Sequence, residues 1–147
     1  MRALLQRVSR AQVRVEQEIV GQIDAGLLVF LGIHREDTAD QLPWLVTKLI
    51  GLRLFSDHNG KMNLSLNDIK GSLLIVSQFT LYGDCRTGRR PSFTDAMPPQ
   101  AANLLYRQLI AALKEKLGDQ RVATGQFGAI MEVDLVNDGP VTLLLER

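Results

Sequence analysis

The sequence predicts a mixed α/β or α+β fold with six to eight strands and two helices. Three observations support this prediction. The length of 147 residues is close to the commonest size of one domain, so we expect a single domain over residues 1–147. Apolar or alternating runs of strand length recur along the whole chain, and two longer segments repeat apolar residues at helical spacing. No internal repeat or low-complexity tract interrupts this order.

The first quarter of the chain has the pattern of strands. Residues 2–8 favour a strand, and residues 12–16 alternate so that Val13 and Val15 share one face. Residues 19–23 continue as a short strand after a turn at Gln17-Glu18, which predicts a hairpin. Residues 27–33 form a continuous apolar run, typical of a strand that is covered on both faces.

The middle of the chain predicts a helix and then a central strand. Residues 39–51 carry one apolar stripe, with Asp37 or Thr38 as the N-cap. Its members are Leu42, Leu45, Val46, Leu49 and Ile50. A short strand at 52–55 and a turn at 56–60 follow. Residues 73–81 predict a central strand that begins apolar and ends polar.

A long loop, a second helix and two strands complete the prediction. Residues 82–98 hold four glycines and prolines together with three arginines, and loops of this length are usually functional or disordered. Residues 100–117 form the second helix, which Gly118 ends. Residues 129–136 and 141–145 predict the last two strands, with 137–142 as a tight hairpin turn between them.

Composition excludes several classes of function. With 17 basic and 16 acidic residues the net charge is +1, too small for a polybasic RNA coat. Aromatic residues make up 5% of the chain, too few for a platform on which single-stranded bases stack. No apolar run approaches the ~18 residues that a membrane span needs, and the first residues lack a signal-peptide layout. We therefore expect a cytoplasmic protein without a membrane partner.

Side chains that bind metals or cofactors are sparse. His34 and His58 are the only histidines, and neither has a metal-ligand partner at a recognised spacing. The glycines lack the strand, lysine and helix context of a phosphate loop. Cys85 is the only cysteine, which excludes an intrachain disulfide. Its Gly- and Arg-rich loop could activate it as a nucleophile, but a filler role is the favoured interpretation. We expect no metal and no cofactor.

Three segments are candidates for a site, and one of them is residues 137–142, for which a tight hairpin turn is the simpler interpretation. Arg86, Arg89 and Arg90 place three guanidinium groups within five residues, which suits the phosphates of a nucleic acid end or, equally, a solvated loop. Residues 77–80, Ser-Gln-Phe-Thr, follow an apolar strand. Polar residues at a strand end line a site about as often as they cap an ordinary strand.

Six sequence segments together resemble the D-aminoacyl-tRNA deacylases. These segments are Ser77-Gln78-Phe79-Thr80-Leu81, Arg90-Pro91-Ser92-Phe93, Val136-Asn137-Asp138-Gly139-Pro140-Val141-Thr142, Gln6-Arg7-Val8, Gly26-Leu27-Leu28 and Phe55-Ser56-Asp57 with Gly60-Lys61-Met62-Asn63. They occur in family order and spacing from the beginning of the chain to its end. A single tetrapeptide is weak support, whereas the ordered set is strong.

The resemblance implies a small barrel-like α/β domain that forms a homodimer with active sites at the interface. Such enzymes hydrolyse the ester between a D-amino acid and the 3′ end of tRNA, and they also act on glycine mischarged onto tRNA. The implied pocket is lined by Ser77, Gln78, Phe79 and Thr80. A cis Gly139-Pro140 pair is implied to enter the partner's pocket, with Arg7 holding that loop and Met131 in a supporting role. Tyr82 departs from the small residues of many relatives, and we expect it at the pocket edge.

Chemistry supports this layout independently. Mirror-image substrates carry the same side chain, so a rigid backbone placed where an L side chain would lie is a better filter than apolar contacts. Glycine has no side chain to exclude and passes such a filter. The backbone N–H of Phe79 or Thr80 is a candidate oxyanion donor.

Two alternatives remain open for the reaction and two for the function. Thr80 is a candidate nucleophile, but no base is linked to it by a motif, so we favour a positioning role and activation of water by the 2′-hydroxyl of the terminal ribose. The alternative functions are a non-catalytic module that binds tRNA ends through the three arginines, and a hydrolase of small esters that uses threonine or cysteine.

Overall fold

The long first strand organises the sheet of the computed structural model, which describes residues Met1–Arg147. β1 (Arg2–Val15) pairs antiparallel with β2 (Glu18–Ile23), and its first half also pairs with β3 (Gly26–Gly32). The predicted hairpin is confirmed, although the turn lies at Glu16-Gln17, both of which have positive φ. Two residues with positive φ match the twist of the flanking strands. The strands predicted at 2–8 and 12–16 are therefore one strand.

The remaining strands curl the sheet into a nearly closed barrel. β6 (Ser72–Ser77) runs parallel to β3, and β7 (Val122–Thr124) runs parallel to β6. The order is β2-β1-β3-β6-β7. The two outer strands, β2 and β7, approach each other at Gly21, which packs so close to the carbonyl of Thr124 that no side chain would fit there. The mixed α/β, barrel-like prediction is confirmed.

β8 (Glu132–Glu146) corrects the prediction of two strands joined by a hairpin. It is a single strand that pairs antiparallel with β1 from Arg14 to Arg2. Between the pairs Val8↔Asn137 and Gln6↔Thr142, β1 has one residue and β8 has four. Residues 138–141 therefore leave the ladder as a wide bulge opposite Arg7. A hairpin prediction fails here because both halves of β8 find the same partner strand, which periodicity cannot indicate.

Both predicted helices are present. α1 (Leu42–Gly51) follows a 3-10 turn at Ala39–Gln41 that Thr38 caps through its side chain. Pro43 lies in the first turn, where its missing N–H has no intrahelical partner to lose. α2 (Pro99–Leu117) ends at Gly118, which has a φ of 88°. Their apolar stripes pack on one face of the sheet in a cluster of 23 buried residues. Neither helix is long and apolar enough to cross a membrane.

Two predicted strands differ in extent. The strand predicted at 52–55 is only β4 (Phe55–Ser56), which pairs with β5 (Met62–Leu64) across the turn at 57–60. The strand predicted at 73–81 ends at Ser77, and residues 79–82 form a 3-10 turn. The polar residues 77 and 78 mark the place where the chain leaves the sheet.

Candidate active site

A cavity of about 590 Å³ lies at the carboxyl end of β6. Four separate segments form it: the end of β3 at 31–33, the strand end at 76–79, the end of the long loop with the start of α2, and the turn before β8 with its first residues. From the last two come Phe93, Met97, Pro98, Phe127 and Met131. Twelve of the 17 lining residues are hydrophobic, and Ser77 and Gln78 supply the polar side chains. This is the composition of a small-molecule site, with an apolar wall and a few polar groups that orient the ligand.

The turn after β6 leaves backbone donors without an acceptor next to this cavity. The N–H of Gln78 donates to the carbonyl of Leu31 (2.8 Å), which continues the β3–β6 ladder by one bond. Hydrogen bonding within the turn begins at Leu81, whose N–H donates to the carbonyl of Gln78 (3.2 Å). The N–H groups of Phe79 and Thr80 precede that bond, so the turn itself offers them no acceptor. Two adjacent donors at the end of a buried strand suit a developing oxyanion.

Gly32 explains why the turn lies so close to β3. A Cβ at Gly32 would lie 3.2 Å from the carbonyl oxygen of Gln78 and 3.0 Å from the Cβ of Leu81. Arg2 holds the far end of the turn, because its Nη1 donates to the carbonyl of Leu81 (2.9 Å). The turn is therefore fixed from the sheet side at both ends.

None of the 17 lining residues is ionisable. The hydroxyl of Thr80 accepts a hydrogen bond from the side-chain amide of Gln78 and has no carboxylate, imidazole or amine partner. A threonine hydroxyl needs a base to become a nucleophile. The cavity thus offers donors, a hydroxyl and shape, but no side chain that accepts a proton near neutral pH.

The bulge of β8 is held firmly from within but lies outside this cavity. Arg7 is buried; its Nε donates to the carbonyl of Asp138 (2.9 Å) and its Nη1 to the carbonyl of Leu54 (2.5 Å). The side chain of Asn137 accepts from the N–H of Val141 (2.9 Å). The Gly139–Pro140 peptide bond is cis. Both residues are exposed, and neither lines the cavity of their own chain.

The predicted site residues therefore fall into three groups. Ser77, Gln78, Phe79 and Met131 line one cavity, with Thr80 next to it. Arg7 and the Gly139-Pro140 pair meet at the bulge. The three arginines of the loop lie apart from both groups.

The loop arginines differ in their partners. Arg86 forms a two-pronged contact with Asp84, with Nε···Oδ1 2.9 Å and Nη2···Oδ2 2.7 Å, and these hydrogen bonds lower the pKa of Asp84 to about 2. Arg89 and Arg90 are exposed and have no ion-pair partner within 4.0 Å. These two guanidinium groups are free to meet a phosphate.

Tyr82 does not lie at the edge of the apolar cavity, contrary to the expectation from sequence. It points to the other side of the turn, beneath the guanidinium of Arg2 (4.6 Å to the ring centroid) and beside the ring of His34 (5.2 Å between centroids). Burial raises the pKa of its hydroxyl. The ring helps to line a separate, open and polar cavity of about 960 Å³ that also includes Cys85. The 3-10 turn at residues 79–82 sets the direction of the Tyr82 side chain. In a strand that continued through residue 81, successive side chains would instead point to opposite faces of the sheet.

Sequence reasoning missed several lining residues. Phe127 and Ala129 follow the unpredicted strand β7, and Met97 to Pro99 lie at the junction of loop and helix. The available signal was the pair of prolines at 98–99 beside a long loop, which indicated a helix start but not a cavity wall. No group of three or more His, Cys, Asp or Glu side chains is arranged to hold a metal ion.

Comparison with known proteins gives a consistent result. The sequence profile of the D-Tyr-tRNA(Tyr) deacylase family matches residues 4–146. The D-aminoacyl-tRNA deacylase of Thermotoga petrophila is 56% identical, and that of Thermosipho africanus is 57% identical. Each alignment covers 99% of this chain and 97% of the relative.

Two solved structures share the fold. One, described as c-Myc DNA Unwinding Element Binding Protein, has a TM-score of 0.95 at 40% identity and covers 100% of this chain and 99% of its own. The other, a probable eukaryotic D-amino acid tRNA deacylase, has a TM-score of 0.85 at 20% identity, covering 98% and 97%.

Fold, cavity and relatives together define an aminoacyl-tRNA deacylase, a hydrolase that acts on charged tRNA. The chain belongs to the D-Tyr-tRNA(Tyr) deacylase family. D-aminoacyl-tRNA deacylase activity, and with it binding of tRNA, follow from that membership.

Proposed function

We propose that this chain hydrolyses the ester between a D-amino acid, or mischarged glycine, and the 3′ end of tRNA, as a proofreading step in translation. The observation that carries the proposal is the cavity at the end of β6, which presents backbone donors and a hydroxyl but has no ionisable residue in its lining. Such a site suits a substrate that brings its own reactive hydroxyl. Because charged tRNA is made and used in the cytoplasm, we propose that location.

The turn at residues 77–80 provides the groups that assist the hydrolysis. The backbone N–H groups of Phe79 and Thr80 stabilise the oxyanion that forms on the ester carbonyl. The 2′-hydroxyl of the terminal ribose orients and activates the attacking water, whose oxygen adds to the carbonyl carbon and forms the tetrahedral oxyanion. The oxyanion then collapses, the bond between the carbonyl carbon and the 3′ oxygen breaks, and the 3′ oxygen takes up the proton that the water loses. Thr80 positions that water or the ester. The absence of an ionisable group in the lining supports this division of roles over a threonine nucleophile.

The backbone of a second subunit discriminates between D- and L-amino acids on the tRNA. Gly139 and Pro140 project from β8 and do not reach their own cavity, so the geometry favours their use in another copy of the chain. The contacts of Arg7 and Asn137 hold this loop rigid. A rigid backbone opposite the α-carbon excludes an L side chain and admits D-amino acids and glycine. Carbonyl groups of the loop bind the substrate ammonium.

The surface of β8 supports a homodimer. β8 pairs with β1 on one edge only, and a long strand with one unpaired edge is a template for association. Val136, Leu143 and Leu144 expose apolar side chains along it, with Leu144 54% exposed. A second copy of the chain would cover these residues and bring the two loops to the two cavities. A homodimer would have a two-fold axis and two equivalent sites.

The acceptor end is held outside the cavity. Arg89 and Arg90 are the free cations of the loop, and Arg86 is the third candidate if a phosphate displaces its contact with Asp84. With a net charge of +1 the chain has no broad basic surface, which supports recognition of the acceptor end alone.

The test is release of amino acid from D-tyrosyl-tRNA and from L-tyrosyl-tRNA by the same preparation. We expect rapid release of the D-amino acid and little release of the L-amino acid. Binding of tRNA without turnover would favour the non-catalytic module. Hydrolysis of simple esters without chiral preference would favour the general ester hydrolase. Light scattering on the same sample checks the dimer, and a monomer active at nanomolar concentration would contradict the shared site.

A further inference from the structure

The loop that carries the three arginines is a closed lobe with a defined neck. Asp84 and Ser92 form an antiparallel bridge in which each N–H donates to the other's carbonyl, at 2.8 and 2.9 Å. We call residues 84–92 the arginine lobe. Arg86 is folded back onto the neck through Asp84, whereas Arg89 and Arg90 lie at the free end. Phe93 directly follows Ser92, so the neck connects this residue to the free end of the lobe.

Phe93 packs between the neck and the turn at residues 77–80, which we call the hydrolytic turn. Its ring meets the ring of Phe79 edge to face, with centroids 5.1 Å apart and planes at 71°. This is a preferred arrangement for two aromatic rings. Phe79 is 57% exposed and Phe93 is 38% exposed, so the two rings pack against each other at the cavity mouth.

Gly83 supports the other side of the same ring. A Cβ at Gly83 would lie 3.0 Å from Cε1 of Phe93 and 3.0 Å from the carbonyl oxygen of Thr80. The N–H of Gly83 donates to that carbonyl at 2.9 Å and closes the turn. The neck, the ring of Phe93 and the turn are thus in direct contact, with no intervening loop.

We propose that Phe93 is a positioning residue that links the arginine lobe to the hydrolytic turn. This inference rests on the proposed function, which assigns the N–H of Phe79 to the oxyanion. When tRNA phosphates hold Arg89 and Arg90, the neck holds Phe93 against Phe79 and fixes that N–H. Misplacement of a reacting group by about 1 Å reduces rate by about a hundredfold, so a modest shift of Phe79 is measurable. The lobe then contributes to kcat as well as to binding.

The experiment separates kcat from KM with two substrates. One is full-length D-tyrosyl-tRNA, and the other is D-tyrosyl-adenosine, which keeps the ester and ribose but has no phosphates for the lobe. For the wild type we expect a higher kcat with tRNA than with the adenosine ester. Phe93→Ala should lower the kcat for tRNA about tenfold with little change in KM, and Phe93→Tyr should restore it because the ring contact survives.

The linkage is tested by combining variants. The pair Arg89→Ala and Arg90→Ala should raise KM for tRNA and also lower kcat. In a Phe93→Ala background the same pair should raise KM but lower kcat no further, because the link is already cut. If the kcat losses of the arginine pair and of Phe93→Ala multiplied in full in the combined variant, the two effects would be independent and the inference would be overturned. A wild-type kcat for Phe93→Ala would overturn it as well.

A second pair of variants guards against a trivial fold effect. Gly83→Ala adds a methyl group at the contact between Phe93 and the carbonyl of Thr80 and keeps every other side chain, whereas the new Cβ of Gly51→Ala meets no neighbouring segment within 4 Å and serves as the matched control. We expect a reduced kcat only for Gly83→Ala, with similar thermal unfolding of both. Equal kcat values for the two would overturn the inference. If the wild type itself fails to release D-tyrosine from tRNA, the proposed function fails first, which is a separate outcome.

Discussion

The Nε of Arg7 donates to the carbonyl oxygen of Asp138 at 2.9 Å, and this contact ties the middle of β1 to the bulge in β8. A buried guanidinium with backbone acceptors on two sides holds its loop by geometry as well as charge. Because the bulge carries Gly139 and Pro140, the contact lies directly beneath the proposed chirality filter.

Removal of this arginine should damage both stability and function. Arg7→Ala leaves the carbonyls of Asp138 and Leu54 without their donor, and we expect a loss of about 2 to 4 kcal/mol in the free energy of unfolding. Chemical denaturation measures it. Arg10→Ala is the control on the same strand, because Arg10 is exposed and its ion pair with Asp134 spans 3.8 Å. We expect less than about 1 kcal/mol there. Equal losses would contradict the anchoring role of Arg7.

Gly139 should not tolerate a side chain. Its φ is 132°, and a Cβ there would lie 2.8 Å from both Nη2 of Arg7 and Cγ2 of Val141. Gly139→Ala should displace the loop at a cost of about 1 to 3 kcal/mol and lower the ratio of D- to L-tyrosyl-tRNA hydrolysis at least about tenfold. Gly60→Ala also has positive φ but open space around the new Cβ, and it should leave the ratio unchanged. An unaltered ratio in the first variant would remove this loop from chiral selection.

Thr80 distinguishes the two reaction mechanisms. Thr80→Val keeps the shape of the side chain and removes its hydroxyl, so a positioning role predicts a loss of about tenfold in the single-turnover rate, the value of one hydrogen bond. Loss of a true nucleophile reduces rates by about 10⁴ to 10⁶. Single-turnover hydrolysis of D-tyrosyl-tRNA measures the difference, with Thr47→Val as a control on the exposed face of α1. A loss of several orders of magnitude would reject activation by the substrate's 2′-hydroxyl.

Salt dependence should reveal the phosphate contacts. Neutralising one phosphate changes the slope of log K against log salt by about 0.7 to 0.9. We therefore expect Arg89→Ala and Arg90→Ala each to lower the slope for tRNA binding by close to one, with D over L selectivity intact. Arg86→Ala should change the slope less, because that guanidinium already contacts Asp84. Slopes that stay at the wild-type value would place the acceptor end elsewhere.

Tyr106 predicts a loss of stability in alkali. Its hydroxyl donates to the carbonyl of Ile75 (2.8 Å), and burial raises its pKa well above the usual value of 10.0. A group whose pKa is higher in the folded state stabilises fully below the unfolded pKa, and the contribution declines as pH rises beyond it. We expect the unfolding free energy to fall from about pH 10 upward. Tyr106→Phe should be less stable at pH 7 but show a shallower decline, and an identical pH profile would contradict the assignment.

Local sequence determined the helices and most strands. The stripe at residues 42–50 predicts α1 because one helical face must be buried, and Gly118 ends α2 because it adopts a positive φ. The apolar run at 27–33 predicts β3 because a strand covered on both faces has no polar alternation. These features depend on neighbours a few residues apart, which is the range that periodicity reads.

Only the tertiary structure decided the strand of 15 residues at the end of the chain. Residues 137–142 have the composition of a hairpin turn, but β1 is long enough to pair with the segments on both sides, so the turn becomes a bulge. The short strands β5 and β7, of three residues each, likewise exist through their partners and not through a pattern of their own.

The site divides in the same way. The residues Ser77 to Thr80 and Gly139-Pro140 stand out in the sequence because their motifs are local and resemble those of a known family. The cavity wall does not, since residues near 31, 77, 97 and 129 meet only after β3, β6 and the start of α2 are assembled. Sequence alone thus predicted which segments carry the chemistry, and tertiary structure decided what surrounds them. A cavity is made by long-range packing, and no local pattern encodes its shape.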